Sequence, residues 1–202
     1  MKSNGATMKL LKIITIPLLA FSLSGCAGLF IAGAATTANL VTDTRTTKEM
    51  WNDSNIEFEI AAISNKTPFK GSTRVTASAY NGSIILMGQA STDAERRSFE
   101  SKAKDIDGVT SIHNQIRVQK PLSVKEISND SWITTKVKSA LLANADLNGI
   151  KVKVITENQE VFLLGFVSHE HADIATEVAR NISGVKQVIR AFQYSEHEND
   201  ES

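Results

Sequence analysis

The sequence predicts an α+β fold built from two tandem units, each a three-stranded sheet packed by two helices in the order α-β-β-α-β. Three observations predict it. Asp53-Ser54-Asn55-Ile56 recurs as Asp130-Ser131-Trp132-Ile133, an offset of 77, and Ile60 recurs as Val137. Asn81-Gly82-Ser83-Ile84-Ile85-Leu86-Met87-Gly88 recurs at the same offset as Asn158-Gln159-Glu160-Val161-Phe162-Leu163-Leu164-Gly165. Gly108-Val109 then returns as Gly184-Val185 after one deletion, followed by Ile112 with Val188 and Ile116 with Phe192. A period of this length marks a duplicated folding unit.

Ahead of the repeats, residues 8–26 carry lysines, an apolar run from Ile13 to Leu23 and then small residues. This is the layout of an export signal, and the run is too short for a confident membrane span. Residues 1–7 add nothing to it. Leu23-Ser24-Gly25-Cys26 resembles the bacterial lipobox, which predicts cleavage before Cys26 and diacylglyceryl and palmitate modification of that side chain. Cys26 is the only cysteine, so no intrachain disulfide is available. The expected organisation is a signal peptide over 1–25, a lipidated N-terminus and spacer over 26–47, a first unit over 48–119, a second over 128–195, and an acidic tail over 196–202. The spacer is small and Thr-rich, and its Leu29-Phe30-Ile31 start can rest against a bilayer.

Within each unit the element signals follow in order. Amphipathic helices are expected over about 50–65 and 130–144, the second entered through Ser128, Asn129 or Asp130. Alternation at Val75, Ala77, Ala79 and at Ile150, Val152, Val154 predicts strands. Asn81-Gly82 and Glu157-Asn158 read as hairpin turns. The next strands end at Gly88 and Gly165. Thr92-Asp93-Ala94-Glu95 has the capping-box pattern, and Ser168 opens the matching helix. Both helices run toward a glycine stop, Gly108 or Gly184, and last strands follow over 109–118 and 185–194. The linker, residues 119–127, is short. A core this small is marginal alone, so the two copies are expected to support each other.

The helix near residue 130 carries two apolar faces. At about 100° per residue, Ile133, Val137, Ala140 and Leu141 share the core stripe. Trp132, Thr135, Ser139 and Leu142 fall on a second face, with Lys136 between. Either that face is an amphipathic contact surface, or Trp132 packs under a neighbouring loop. The first copy has Asn55, Glu59 and Asn65 where the second has Trp132, Lys136 and Leu142. Each change removes apolar area or positive charge, so the copies share a core stripe and differ outside it. Lys136, Lys138, Lys151 and Lys153 are candidates for a basic rim around Trp132.

Composition excludes several functions. The 22 basic and 22 acidic residues balance, and loss of Lys2, Lys9 and Lys12 with the signal leaves a net charge of −3. No global field therefore favours nucleic acid. Aromatic residues at 6% are too few for a base-stacking platform. His169-Glu170-His171 places two histidines at i and i+2, a spacing that does not converge on a metal, so a solvated helix start is expected. No phosphate loop, nucleophile elbow or Ser/His/Asp spacing points to an enzyme or to a cofactor.

With their glycines after an apolar strand and their Gly-Val pairs, the repeats resemble BON domains. The lipobox, spacer, two copies and Asn129-Asp130-Ser131-Trp132-Ile133-Thr134-Thr135-Lys136-Val137 together resemble the dual-BON outer-membrane lipoproteins of Gram-negative bacteria. Thr156-Glu157-Asn158, Glu160-Val161-Phe162-Leu163 and Ser183-Gly184-Val185-Lys186 extend the likeness. The resemblance implies a lipid-anchored protein facing the periplasm, with Ala27 after the cysteine favouring the outer membrane. It implies roles in outer-membrane integrity, envelope stress and cell division. It also implies that the first helix of the second domain contacts anionic phospholipid, phosphatidylglycerol foremost. Trp132 would then be the anchor, Leu142, Thr135 and Ser139 its neighbours, and Lys136 a headgroup contact. The runner-up is a scaffold for outer-membrane assembly or cell-wall remodelling factors.

Overall fold

The computed structural model describes residues 45–194. The predicted signal, Cys26, the spacer up to residue 44 and the acidic tail lie outside the described residues. Helix α1 (Thr47–Ser64) starts at a capping box in which Thr46 Oγ1 accepts from Glu49 N and the Glu49 carboxylate accepts from Thr46 N. The reciprocal bonds satisfy donors that the first turn otherwise leaves open. The chain continues through β1 (Thr73–Tyr80), β2 (Ser83–Ala90), α2 (Asp93–Lys104) and β3 (Ser111–Val118). The second copy repeats this as α3 (Val124–Ala143), a short 3-10 turn (Ala145–Leu147), β4 (Lys153–Glu157), β5 (Glu160–Val167), α4 (His169–Arg180) and β6 (Gln187–Tyr194).

Each sheet has three strands, in the orders β1-β2-β3 and β4-β5-β6. The hairpin pair is antiparallel in both, and the last strand joins in parallel after a helical crossover. This puts β2 and β5 at the sheet centres, buried on both faces. Side chains alternate along a strand, so Ile84 and Leu86 face α1 and α2, where they pack with Ile56, Ile60, Phe99 and Ala103. Val161 and Leu163 do the same beneath α3 and α4 with Ile133, Val137 and Ala179.

The other faces of the central strands meet each other. Ile85 and Met87 pack against Phe162 and Leu164, with Ile155, Ile189 and Ala191 at the margin. Ile85 and Phe162 are equivalent positions in the repeat, as are Met87 and Leu164, so the two copies bury the same patch against one another. The result is four layers: helices, sheet, sheet, helices. Charged and polar side chains close the edges of this interface. Arg74 pairs with Glu157, Gln89 Nε2 donates to Glu157 at 3.2 Å, and Arg117 Nη2 lies 2.9 Å from Glu160. Lys153 Nζ reaches both Glu57 Oε1 and Ser78 Oγ at 3.0 Å.

Four expectations change. α3 begins at Val124, inside the segment read as linker, because Ser123 and Glu126 form its capping box; Ser128, Asn129 and Asp130 lie within the helix. The second hairpin turns at Asn158-Gln159, not Glu157-Asn158, and both turn residues have positive φ (53° and 66°), as a type I′ turn needs. Of the three alternating residues read as a strand, only Val154 lies in β4; Ile150 and Val152 precede it, and Val152 packs on the second core. Helices α2 and α4 stop at Lys104 and Arg180, so Gly108 and Gly184 serve the turns leading into the last strands rather than the helix ends.

Candidate membrane-contact site

Helix α3 is held by its inner face. Ile133, Val137 and Leu141 are buried in the second core, while Ala140, placed on the same stripe by its spacing, is only half-buried. On the outer face Trp132 is 62% exposed and Leu142 86%. Trp132 is therefore not tucked under a loop. At about 100° per residue, Trp132, Thr135, Ser139 and Leu142 share an arc of about 80°, and exposed Val124 from the first turn joins it. The sequence reading missed Val124 because it placed that residue outside the helix.

Charge brackets this strip. Lys138 lies along one edge, and Lys125 and Lys136 along the other, each on α3 itself. Lys136 is half-buried and donates through Nζ to the carbonyl of Ser183 in the turn after α4. An ammonium has three donors, so this bond fixes the group without exhausting it. A Cβ on Gly184 would lie 3.2 Å from Ile133 Cδ1, so the small residue lets that turn approach α3 closely. Thr135 Oγ1 donates back to the Ser131 carbonyl at 3.0 Å, so its hydroxyl is satisfied within the helix. Lys153 belongs to no rim here, being committed to Glu57 and Ser78 of the first copy. Lys151 is exposed just before β4.

Beneath the strip, Asp130 carries out a task not read from the sequence. It is buried mid-helix, and its carboxylate accepts from Asn158 N (2.7 Å) and Gln159 N (2.8 Å). Asp53 does the same for Asn81 N (2.8 Å) and Gly82 N (2.9 Å). Each aspartate thus pins a hairpin turn to the first helix of its unit. Asp53 is also bridged at 2.8 Å by Arg45, whose guanidinium lies 4.2 Å from the Tyr80 ring centre. The signal was available: the Asp and the turn recur together at the same offset.

The histidine pair is absorbed by structure. Ser168 Oγ lies 2.8 Å from His171 Nδ1, and His169 stacks on Tyr194 with ring centres 3.9 Å apart. Among the described residues no group of three or more His, Cys, Asp or Glu is placed to hold a metal, and no helix is long and apolar enough to cross a membrane. Burial pushes the Glu157 carboxyl up from its ordinary range, against the pull of Arg74 and Gln89.

The sequence matches the BON domain twice, over residues 52–120 and 129–196. The chain belongs to the BON-domain family. Among its BON relatives is the outer membrane lipoprotein DolP of Haemophilus influenzae, 39% identical over 173 residues that cover 85% of this chain and 90% of that one. The 21 kDa hemolysin of Actinobacillus pleuropneumoniae is 44% identical over 75% of this chain and 79% of its own. The osmotically-inducible protein Y of Escherichia coli is 32% identical over 58% of this chain and 60% of its own. The protein is a dual-BON lipoprotein of the outer membrane, facing the periplasm.

Proposed function

We propose that this BON lipoprotein uses the outer face of α3 as a second membrane contact, reading anionic phospholipid while the acyl chains at Cys26 hold it to the outer membrane. In this capacity it supports envelope integrity under stress and at division. The observation that carries the reading is an exposed Trp132 and Leu142 on one helix face with lysines along both edges. An indole and a leucine enter the headgroup boundary, and the flanking ammonium groups meet phosphates; each such cation near an anionic surface contributes about 1 kcal/mol. The first copy has no such lysine pair, which is the difference expected if only the second was fitted to anionic lipid.

Tethering makes a weak contact sufficient. Confinement by the acyl anchor raises the effective concentration of α3 at the bilayer, so that a contact too weak to recruit a free protein still biases orientation and location. The acidic net charge limits long-range attraction, so binding should weaken only moderately with added salt.

The test is co-sedimentation of the chain lacking Cys26 with phosphatidylglycerol-containing and purely zwitterionic vesicles, beside Trp132→Glu. Wild type should pellet with the anionic vesicles and the variant should not. Equal binding of both proteins would remove α3 as the contact. Loss of an envelope-protein partner in Trp132→Glu, with vesicle binding unchanged, would instead favour a protein-docking role for the same face.

A further inference from the structure

Helix α1 is apolar on both sides. Its inner stripe, Ile56 and Ile60, is buried in the first core, yet Trp51 is 69% exposed, Phe58 75% and Met50 40%. At about 100° per residue, Met50, Trp51, Ser54, Asn55, Phe58 and Ala62 occupy an arc of about 140° opposite the core, and no charged residue falls within it. An amphipathic surface helix would carry its charges there; a helix apolar all round is normally covered. Comparing the two copies position by position hides this face, because Trp51 and Phe58 align with Ser128 and Thr135 rather than with Trp132.

The edges of the face say what covers it. Glu57 borders one side, already engaged by Lys153 and by the Ala79 amide. The other side carries Lys48 near the start and Glu59 near the end. This differs from α3, whose strip has lysine on both edges. A border of two glutamates and one lysine is repelled by an anionic bilayer more than it is attracted. It is, however, self-complementary. The midpoint between Trp51 and Phe58 nearly coincides with that between Lys48 and Glu59. When two α1 helices cross antiparallel about a two-fold axis, Trp51 of each meets Phe58 of the other, and Lys48 of each meets Glu59 of the other.

We infer that the outer face of α1 is a self-association surface, and that two copies of this lipoprotein pair through it as antiparallel helices. The symmetry is that of an isologous contact, the same patch used on both sides. One helix pair buries less than the roughly 1,200–2,000 Å² typical of stable complexes. Anchoring of both copies in one membrane supplies the missing affinity through effective concentration. Because α1 and α3 lie in opposite outer layers, the pair turns its two α3 faces away from each other, so one bilayer engages only one of them. The pairing itself stands whether or not α3 binds lipid.

Disulfide cross-linking of the full-length lipoprotein in native membranes tests this. The sole native cysteine, Cys26, is the lipidation site, so Asn55→Cys, beside the proposed axis, introduces the one free thiol. Mild copper-phenanthroline oxidation should give a dimer band well above that of Lys102→Cys on exposed α2. Adding Lys48→Glu should lose the band, and Lys48→Glu with Glu59→Lys should regain it; both are exposed positions whose exchange leaves the core intact. A band no stronger than the control, or one indifferent to Lys48→Glu, overturns the proposal. So does a Trp51→Glu variant that loses vesicle binding while cross-linking persists, which would make lipid the occupant.

Discussion

Asp130 Oδ2 accepts the amide hydrogen of Asn158 at 2.7 Å, tying the middle of α3 to the β4–β5 turn. With the neighbouring bond from Gln159 N, one buried carboxylate fixes the end of the second sheet to the helix that presents Trp132. The strip is thereby carried on a braced element rather than on a loop.

Asp130→Ala should destabilise the chain by about 2–4 kcal/mol, since it removes two charge-assisted bonds and leaves two turn amides without their acceptor. Asp130→Asn should fall between, as one amide oxygen can still accept. Urea midpoints at constant slope would measure both. A loss under about 0.5 kcal/mol for the alanine would show that water replaces the carboxylate without penalty.

Gly88 sits at φ +131°, and a Cβ there would lie 2.0 Å from the Arg74 carbonyl oxygen; at Gly165 the corresponding approach, to the Lys151 carbonyl, is 2.6 Å. Both oxygens are backbone and cannot rotate aside. Gly88→Ala should therefore destabilise the fold more than Gly165→Ala, because it must separate β1 from β2 within a paired ladder. Thermal melting of the two variants side by side decides it, and the reverse order would contradict the geometry.

Glu157 gives the sheet–sheet interface a pH dependence of unusual sign. Burial raises its folded-state value above the ordinary 4.5, so between those two values the folded chain holds more proton than the unfolded one. Its contribution to stability is therefore greatest at the acid end of that window and falls as pH rises through it. Glu157→Gln should remove this component. Comparing urea midpoints at about pH 5 and about pH 7.5, wild type should gain on the variant toward the acid side. A parallel course of the two proteins would show that Arg74 and Gln89 fully offset the burial.

Much of the fold was legible because a duplicated pattern tests itself. An Asp, an Asn-led turn and a glycine at one fixed offset cannot all recur by accident, and each names a local structure. The local signal misleads where it stands without its partner copy. The second turn is displaced by one residue from the reading, although Asn81-Gly82 aligns with Asn158-Gln159. The start of α3 is hidden because its capping box, Ser123-Val124-Lys125-Glu126, follows a Pro-containing stretch with the look of a linker.

The chain's own order of residues determined the two α-β-β-α-β units and the caps of their second helices, since these follow from periodicity and backbone hydrogen bonding within a few residues. Spacing put Trp132 off the core stripe but left open whether a loop covers it, which the fold decides. Only the tertiary structure decided that Ile85 and Met87 seal against Phe162 and Leu164, that Lys153 is spent across that seam, and that α1 is left with Trp51 and Phe58 uncovered. A strand apolar on both faces reveals that something covers it, not what. The choice among covering surfaces rests on shape and charge matched between residues far apart in the chain.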